Sequence, residues 1–403
     1  MSAADIDALR HVIEAFFPRL WLPTEAVLAS ALAMMNADVV NPPTCIFTGA
    51  ASSSKTTVLD FFDNIAEITY RSDRFTPKAF VSHAANVPQQ HLAKIDLLPR
   101  VKHRVLITPE LAPMFRQKEE GLRDQFSVLT AVLDGHGYTG DSGTQGRRGY
   151  TGDYLFTWIG ATTPLPMHVW RVMAQLGSRL LFYEMPGGEV TDAELDEALS
   201  GVPYRDKLRA CASCVSRFLS RRFCEYGGVR GVKWDAEANP LPVLKTIKGL
   251  ARLLALCRSS LSADDRFDGT SGTPADAEQP FRAQATLYNL ARGRAMAHGR
   301  QHLIEEDLPL VAHVTLSSMP HERSRLLRAL IRGQGWLTTK QVARVLGVSR
   351  PTARLKMGDL ARLGIATLKD RDQFARLSLR PDWRWCLDLA TVDHTHTSSQ
   401  LSG

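Results

Sequence analysis

The run Phe47-Thr48-Gly49-Ala50-Ala51-Ser52-Ser53-Ser54-Lys55-Thr56-Thr57-Val58-Leu59 decides how the rest of the chain is read. Ahead of it, Cys45-Ile46-Phe47 is a short apolar run of the kind that forms a buried strand, and from Thr57 to Ile65 the apolar residues fall at helical spacing. A strand, a loop of small residues and a helix predict a phosphate-binding loop, whose backbone N–H groups and helix N-terminus face an anion. On this reading Gly49, Ser52, Ser53, Ser54 and Thr57 surround ATP, Lys55 reaches its β- and γ-phosphates, and the Thr56 hydroxyl ligates Mg²⁺. Ser54 stands where such loops carry glycine, and serine is expected to fit there provided the position is not at positive φ. A plain serine-rich turn is the competing reading.

Working outward, Ala4–Phe17 and Thr24–Asn36 read as helices broken at Pro18 and around Pro23, and Asn41-Pro42-Pro43 punctuates the approach to the first strand. Downstream, Phe75–His83 is expected as a second strand and Val101–Ile107 as a third, ending in Thr108-Pro109-Glu110-Leu111. A carboxylate at the C-terminal end of a strand beside a phosphate loop is placed to polarise water, which singles out Glu110. Pro109 occupies the position where a second carboxylate would help hold Mg²⁺. Gly137-Tyr138-Thr139-Gly140-Asp141 recurs as Gly149-Tyr150-Thr151-Gly152-Asp153, which predicts a β-hairpin with Arg147 and Arg148 near its tip. Leu155–Ile159 follows as a buried strand ending at Ala161-Thr162-Thr163-Pro164, and Ser178-Arg179 precedes another apolar strand.

This order of motifs resembles the AAA+ ATPases, and among them the core of minichromosome-maintenance helicases, over roughly residues 20–320. The resemblance implies an α/β P-loop core with a pre-sensor β-hairpin and a helical lid. It assigns Glu110 to water activation, Thr163 to the first sensor in place of the usual Asn, and Arg179 to a finger reaching a neighbour's γ-phosphate. Arg282 resembles the second-sensor Arg of the lid. The implied assembly is a homo-oligomeric ring of six subunits that hydrolyses ATP with Mg²⁺ and acts on DNA, the hairpin arginines facing the channel. Expected boundaries are N-terminal helices over 1–40, the nucleotide-binding core over 41–185, the lid over 186–320, a winged helix-turn-helix over 321–390 and a flexible tail over 391–403.

Charge isolates the last module. Residues 321–390 carry 15 Lys/Arg against 6 Asp/Glu, whereas the chain as a whole is only +7, so the positive excess is local and points to a polyanion. Within it, Arg323–Ile331, Thr338–Leu346 and Ser349–Leu363 read as three helices, with Gly347-Val348 as the turn and Thr367–Leu379 as a two-stranded wing. Arg350, Thr352, Arg354 and Lys356 fall on the recognition helix, where they are expected to contact DNA, and Lys369, Arg371 and Arg376 on the wing. A winged module can instead dock protein.

The N-terminus has no basic, apolar leader and no apolar run is long enough to span a bilayer, so no membrane partner and a cytoplasmic setting are expected. Cys211 and Cys214 share one helical face with no second close pair following, which reads as reduced thiols in preference to zinc. Two other functions compete with the motor: an ATP-gated DNA-binding regulator with little hydrolysis, and a scaffold with a vestigial loop.

Overall fold

Along Cys45-Ile46-Phe47 successive side chains must point to opposite faces, and both faces are apolar, so the strand has to be covered on both sides. The computed structural model, which describes residues 4–63, 65–82, 89–142, 146–176, 179–187, 191–261, 278–371 and 374–391, realises this as a five-stranded parallel sheet between helical layers. Cys45 and Phe47 enter one core and Ile46 the other; Val105 and Ile107 divide from Leu106, and Leu181 and Tyr183 from Phe182, in the same way.

The chain opens with helices α1 (Ala4–Phe16) and α2 (Trp21–Ala33), then strand β1 (Cys45–Thr48), the loop, and helix α3 (Lys55–Asp60). β2 (Thr69–Arg71), α4 (Gln89–Ile95), α5 (Leu97–Val101), β3 (Val105–Thr108), α6 (Ala112–Phe115) and α7 (Glu119–Leu133) lead to the hairpin β4 (Gly137–Ser142) and β5 (Gly146–Thr151). β6 (Thr157–Thr162), α8 (Met167–Leu176) and β7 (Phe182–Glu184) complete the sheet, in the order β2-β3-β6-β1-β7 with every pairing parallel.

The second strand differs from expectation. Phe75–His83 forms no strand in its described part: Pro77–Ala79 is a single 3-10 turn, and Phe75 packs edge-on against Phe80 and at a tilt against Trp158. The strand is instead Thr69–Arg71, three residues long, whose Arg71 bridges Asp60, Asp63 and Asp73. So short a strand shows no alternation to read. His83, Gly143–Gln145 in the hairpin, Ser178, residues 262–277 and the tail 392–403 lie outside the described residues.

Helices α9 (Asp192–Ser200), α10 (Tyr204–Glu225), α11 (Leu241–Arg258), α12 (Phe281–Ala297) and α13 (Leu308–Ser317) follow the sheet. α12 packs closely on α2: a Cβ at Gly293 would lie 1.8 Å from the Ala29 carbonyl oxygen, so only glycine allows the approach. The same contact buries ions. Glu25 on α2 receives His298 (2.8 Å) and Arg294 (3.2 Å), and Arg294 and Arg300 grip Asp307 at 2.9 and 2.8 Å.

The C-terminal module comprises α14 (His321–Arg332), β8 (Trp336–Thr338), α15 (Thr339–Leu346), α16 (Arg350–Arg362), β9 (Ala366–Arg371) and β10 (Phe374–Leu379), the strands forming an antiparallel sheet in the order β8-β10-β9. Thr338 and Ser349 cap α15 and α16 through the Gln341 and Thr352 N–H groups, and Gly347 makes the left-handed turn between them at φ 69°. One apolar core runs without a break from Ile6 on α1 to Leu389, taking in this module. No helix among the described residues is long and apolar enough to cross a membrane.

Candidate functional site

Parallel pairing puts all the strand C-termini at one edge, and the register there is tight: Thr48 lies beside Thr162 and beside Glu184, and Thr108 beside Gly160. The loop of residues 49–54 leaves β1 at this edge. Ser52 and Ser54 stand at φ 60° and 59° while Ser53 does not, so the backbone alternates in hand through the loop. Such alternation turns consecutive N–H groups toward one side and makes a concave anion cradle. The expectation that Ser54 avoids positive φ is therefore overturned. The loop keeps the left-handed geometry that glycine normally supplies, at a cost of about 1–2 kcal/mol for a residue with a Cβ.

Lys55 curls over this cradle, its Nζ donating to the Gly49 and Ala50 carbonyls (3.0 and 2.5 Å) and to Ser53 Oγ (3.1 Å). Partial burial pulls its pKa below that of an ordinary lysine, against the opposing pull of the Glu110 charge. Glu110 sits two residues beyond β3, exposed at the same edge, and one carboxylate oxygen accepts from the Ala112 N–H at 2.9 Å. The Leu111 N–H pins that turn to β6 by donating to the Ala161 carbonyl (2.8 Å). Thr56 is exposed in the first turn of α3, as a metal-ligating hydroxyl would need to be. Thr57 is turned inward, its hydroxyl sharing a 2.9 Å hydrogen bond with Tyr204 at the start of α10. It joins the loop helix to the following helices in place of the phosphate contact expected of it.

Thr163 is half-buried in the bend after β6. Its neighbour Thr162, overlooked in the sequence, is 2% exposed and its Oγ1 has no hydrogen-bond partner among the described residues. Glu184 was overlooked too, although an acid closing an apolar run is the same signal that marked Glu110. It ends β7 beside Thr48, and His321 and Arg328 of α14 each stand 3.9 Å from its carboxylate. A cleft of about 50 Å³ between Gly49, Leu165, Glu184, His321 and Ser324 thus brings the C-terminal module to the foot of the loop.

The remaining candidates lie elsewhere. Arg179 precedes β7, at the sheet edge opposite the loop, a strand's length from Lys55. Its guanidinium makes a two-pronged ion pair with Asp134 at 2.9 and 2.8 Å, leaving the side chain 9% exposed. Arg282 opens α12, whose Asn289 holds the Val40 and Asn41 carbonyls on the approach to β1, again at the far edge. Arg282 itself stands about two turns before Asn289, on a helix that packs along α2.

Arg147 and Arg148 lie on β5 opposite Asp141 and Gly140. The hairpin joins β6 at its N-terminal end, so any signal from it to Thr163 has to travel the length of that strand. On the C-terminal module, Arg350 and Arg354 are exposed on α16, the Thr352 hydroxyl is 2.9 Å from that of the cap Ser349, and Lys356 is paired with Glu322 of α14 at 2.5 Å. Arg371 ends β9. No family model matches this chain, and neither does any curated protein.

Proposed function

We propose that this chain is a P-loop ATPase of the AAA+ type, diverged from the minichromosome-maintenance pattern, that couples ATP to a transaction on DNA. The observation that carries the reading is the alternating-hand loop at the C-terminal edge of β1, with Lys55 over it and Glu110 close enough for its charge to act on Lys55. The loop's N–H groups would hold the β- and γ-phosphates, and Lys55 would exchange its carbonyl partners for phosphate oxygens. Glu110, with one oxygen fixed by Ala112, keeps the other for an attacking water. Thr56 would hold Mg²⁺, which neutralises phosphate charge; with Pro109 beside Glu110, the ion would take most of its ligands from water and nucleotide. The basic module with its two capped helices and two-stranded wing supplies the DNA contact.

Assembly into a ring is part of the proposal and asks that the Arg179–Asp134 pair open at a subunit interface. A second reading, a regulator gated by ATP binding with little turnover, is favoured by Pro109 and by that closed pair. Steady-state ATP turnover with and without DNA separates them. A Glu110→Gln variant that binds ATP but no longer turns it over supports the motor. Wild-type protein that binds ATP and DNA without turnover supports the regulator.

A further inference from the structure

We propose that the groove between α8 and α16 is a track for single-stranded nucleic acid, an inference that rests on the nucleic-acid part of the reading above. The groove encloses about 1030 Å³ between the nucleotide-binding core and the C-terminal module. Arg171 comes from the α8 wall, Arg354, Lys356 and Arg362 from the α16 wall, and Arg258 and Arg323 from its floor. Asp359 is the one acid lining it among the described residues. Arg258 and Arg323 spend their N–H groups on backbone carbonyls, Ser318 and Leu180 for the first, Cys257 and Ser259 for the second. A carbonyl satisfies a guanidinium without neutralising it; Lys356 and Arg362 are paired with Glu322 and Asp359, Arg171 stands 3.8 Å from Glu119 and Glu278 lies near Arg258, so the groove keeps a modest net positive charge.

Between these charges the walls present apolar side chains, Met167 at 46% and Leu355 at 62% exposure. Cationic walls with apolar surface between them suit a strand whose phosphates follow the charges and whose bases lie against the apolar side chains.

Geometry excludes a duplex from the same place. A helix reads B-DNA by entering a major groove about 12 Å wide from outside, which requires the reading face to have no protein opposite it. Here Pro351, Arg354, Leu355 and Gly358, one face of α16, look across at Met167 and Arg171 of α8. Arg350, at the N-terminus of α16, lies outside the groove lining and remains for other contacts.

Arg171 provides the test, because it belongs to the core and a winged module working alone has no use for it. It is 61% exposed, with Glu119 at 3.8 Å, so its replacement leaves the fold intact. Full-length protein would be titrated with a labelled thymidine oligonucleotide of about 20 residues, and with a duplex of equal length, across a salt series. Arg171→Glu is expected to weaken single-strand binding about tenfold and to lower the salt slope by about one, with duplex binding unchanged. Leu355→Asp should act in the same direction from the other wall, and Arg217→Glu, on an exposed face of α10, should do nothing. Unaltered thermal unfolding would show that the variants fold. Single-strand binding indifferent to Arg171 and Leu355, or duplex binding that falls equally, overturns the proposal. So does a change in oligomeric mass with single-strand binding intact, which would give the groove to the acidic α9 of a second copy. Wild-type protein that binds only duplex defeats the groove and leaves the winged reading standing; no binding to either nucleic acid defeats both.

Discussion

Ser54 and Arg179 show what single residues concede about function. The loop could be read from its run of small residues between an apolar strand and a helix, but the sign of φ at Ser54 is set by how β1 and α3 meet, which no local pattern reveals. Ser54→Gly should release left-handed strain and raise stability by up to about 1 kcal/mol, the gain reduced by glycine's freer unfolded chain. Denaturant unfolding would measure it, and a loss of stability would mean that the serine side chain contributes more than its backbone costs. Arg179 was marked by its place ahead of a strand, while its partner Asp134 is 45 residues away and invisible to any local reading. If the pair is structural, Arg179→Ala should cost about 3 kcal/mol, since it strands a carboxylate that was built to be paired. If Arg179 is a finger, Asp134→Ala should preserve ATP turnover while Arg179→Ala abolishes it at unchanged ATP affinity. Equal loss of turnover in both variants assigns the arginine to folding.

Among the elements, the hairpin was legible because its sequence repeats. Tyr138 faces Tyr150 in the register, and Gly149, at φ 122°, is where a Cβ would come within 2.0 Å of the Tyr138 carbonyl oxygen. Gly149→Ala should therefore unzip β4 from β5, seen as rapid proteolysis near Arg147 and Arg148 with the sheet core still protected; an intact hairpin would contradict the register. β2 was not legible, being three residues long, and α8 falls in the span between Pro164 and Ser178, to which the sequence reading assigned no element. The α2–α12 contact carries its own pH dependence. Burial works to raise the Glu25 pKa, but His298 and Arg294 together outweigh it and hold the group below the ordinary carboxylate value of 4.5. A folded pKa below the unfolded one gives stability that is full above the unfolded value and is lost as pH falls through the folded one. Glu25→Gln should thus lower stability at pH 7 by about 3 kcal/mol and flatten its decline between pH 5 and pH 3. An unchanged acid limb in the variant would remove Glu25 from that transition.

At the scale of the whole molecule, sequence order revealed the succession of motifs but not which of them would meet. Gly49, Glu110 and Thr162 converge because parallel strands share an edge, a consequence of topology that follows once the strands are placed. The approach of α14 to Glu184, and the groove that sets α16 against α8, depend on packing between parts of the chain some 140 and 190 residues apart, where no periodicity leaves a trace. These contacts give the C-terminal module a short physical route to the edge that carries the loop, the route by which, on the proposed reading, ATP and DNA occupancy would inform each other through α14. The whole account stands on nucleotide entering the cradle under Lys55. The direct measurement is calorimetric titration of Mg·ATP into wild-type protein and Lys55→Ala, with thermal unfolding of both in parallel. Saturable binding by the wild type, weakened at least about tenfold in the variant with an unchanged unfolding temperature, is the expected result, because loss of a charged hydrogen-bond partner costs about 1.5–3 kcal/mol. Equal affinity in the two proteins, or no binding by the wild type, would contradict it.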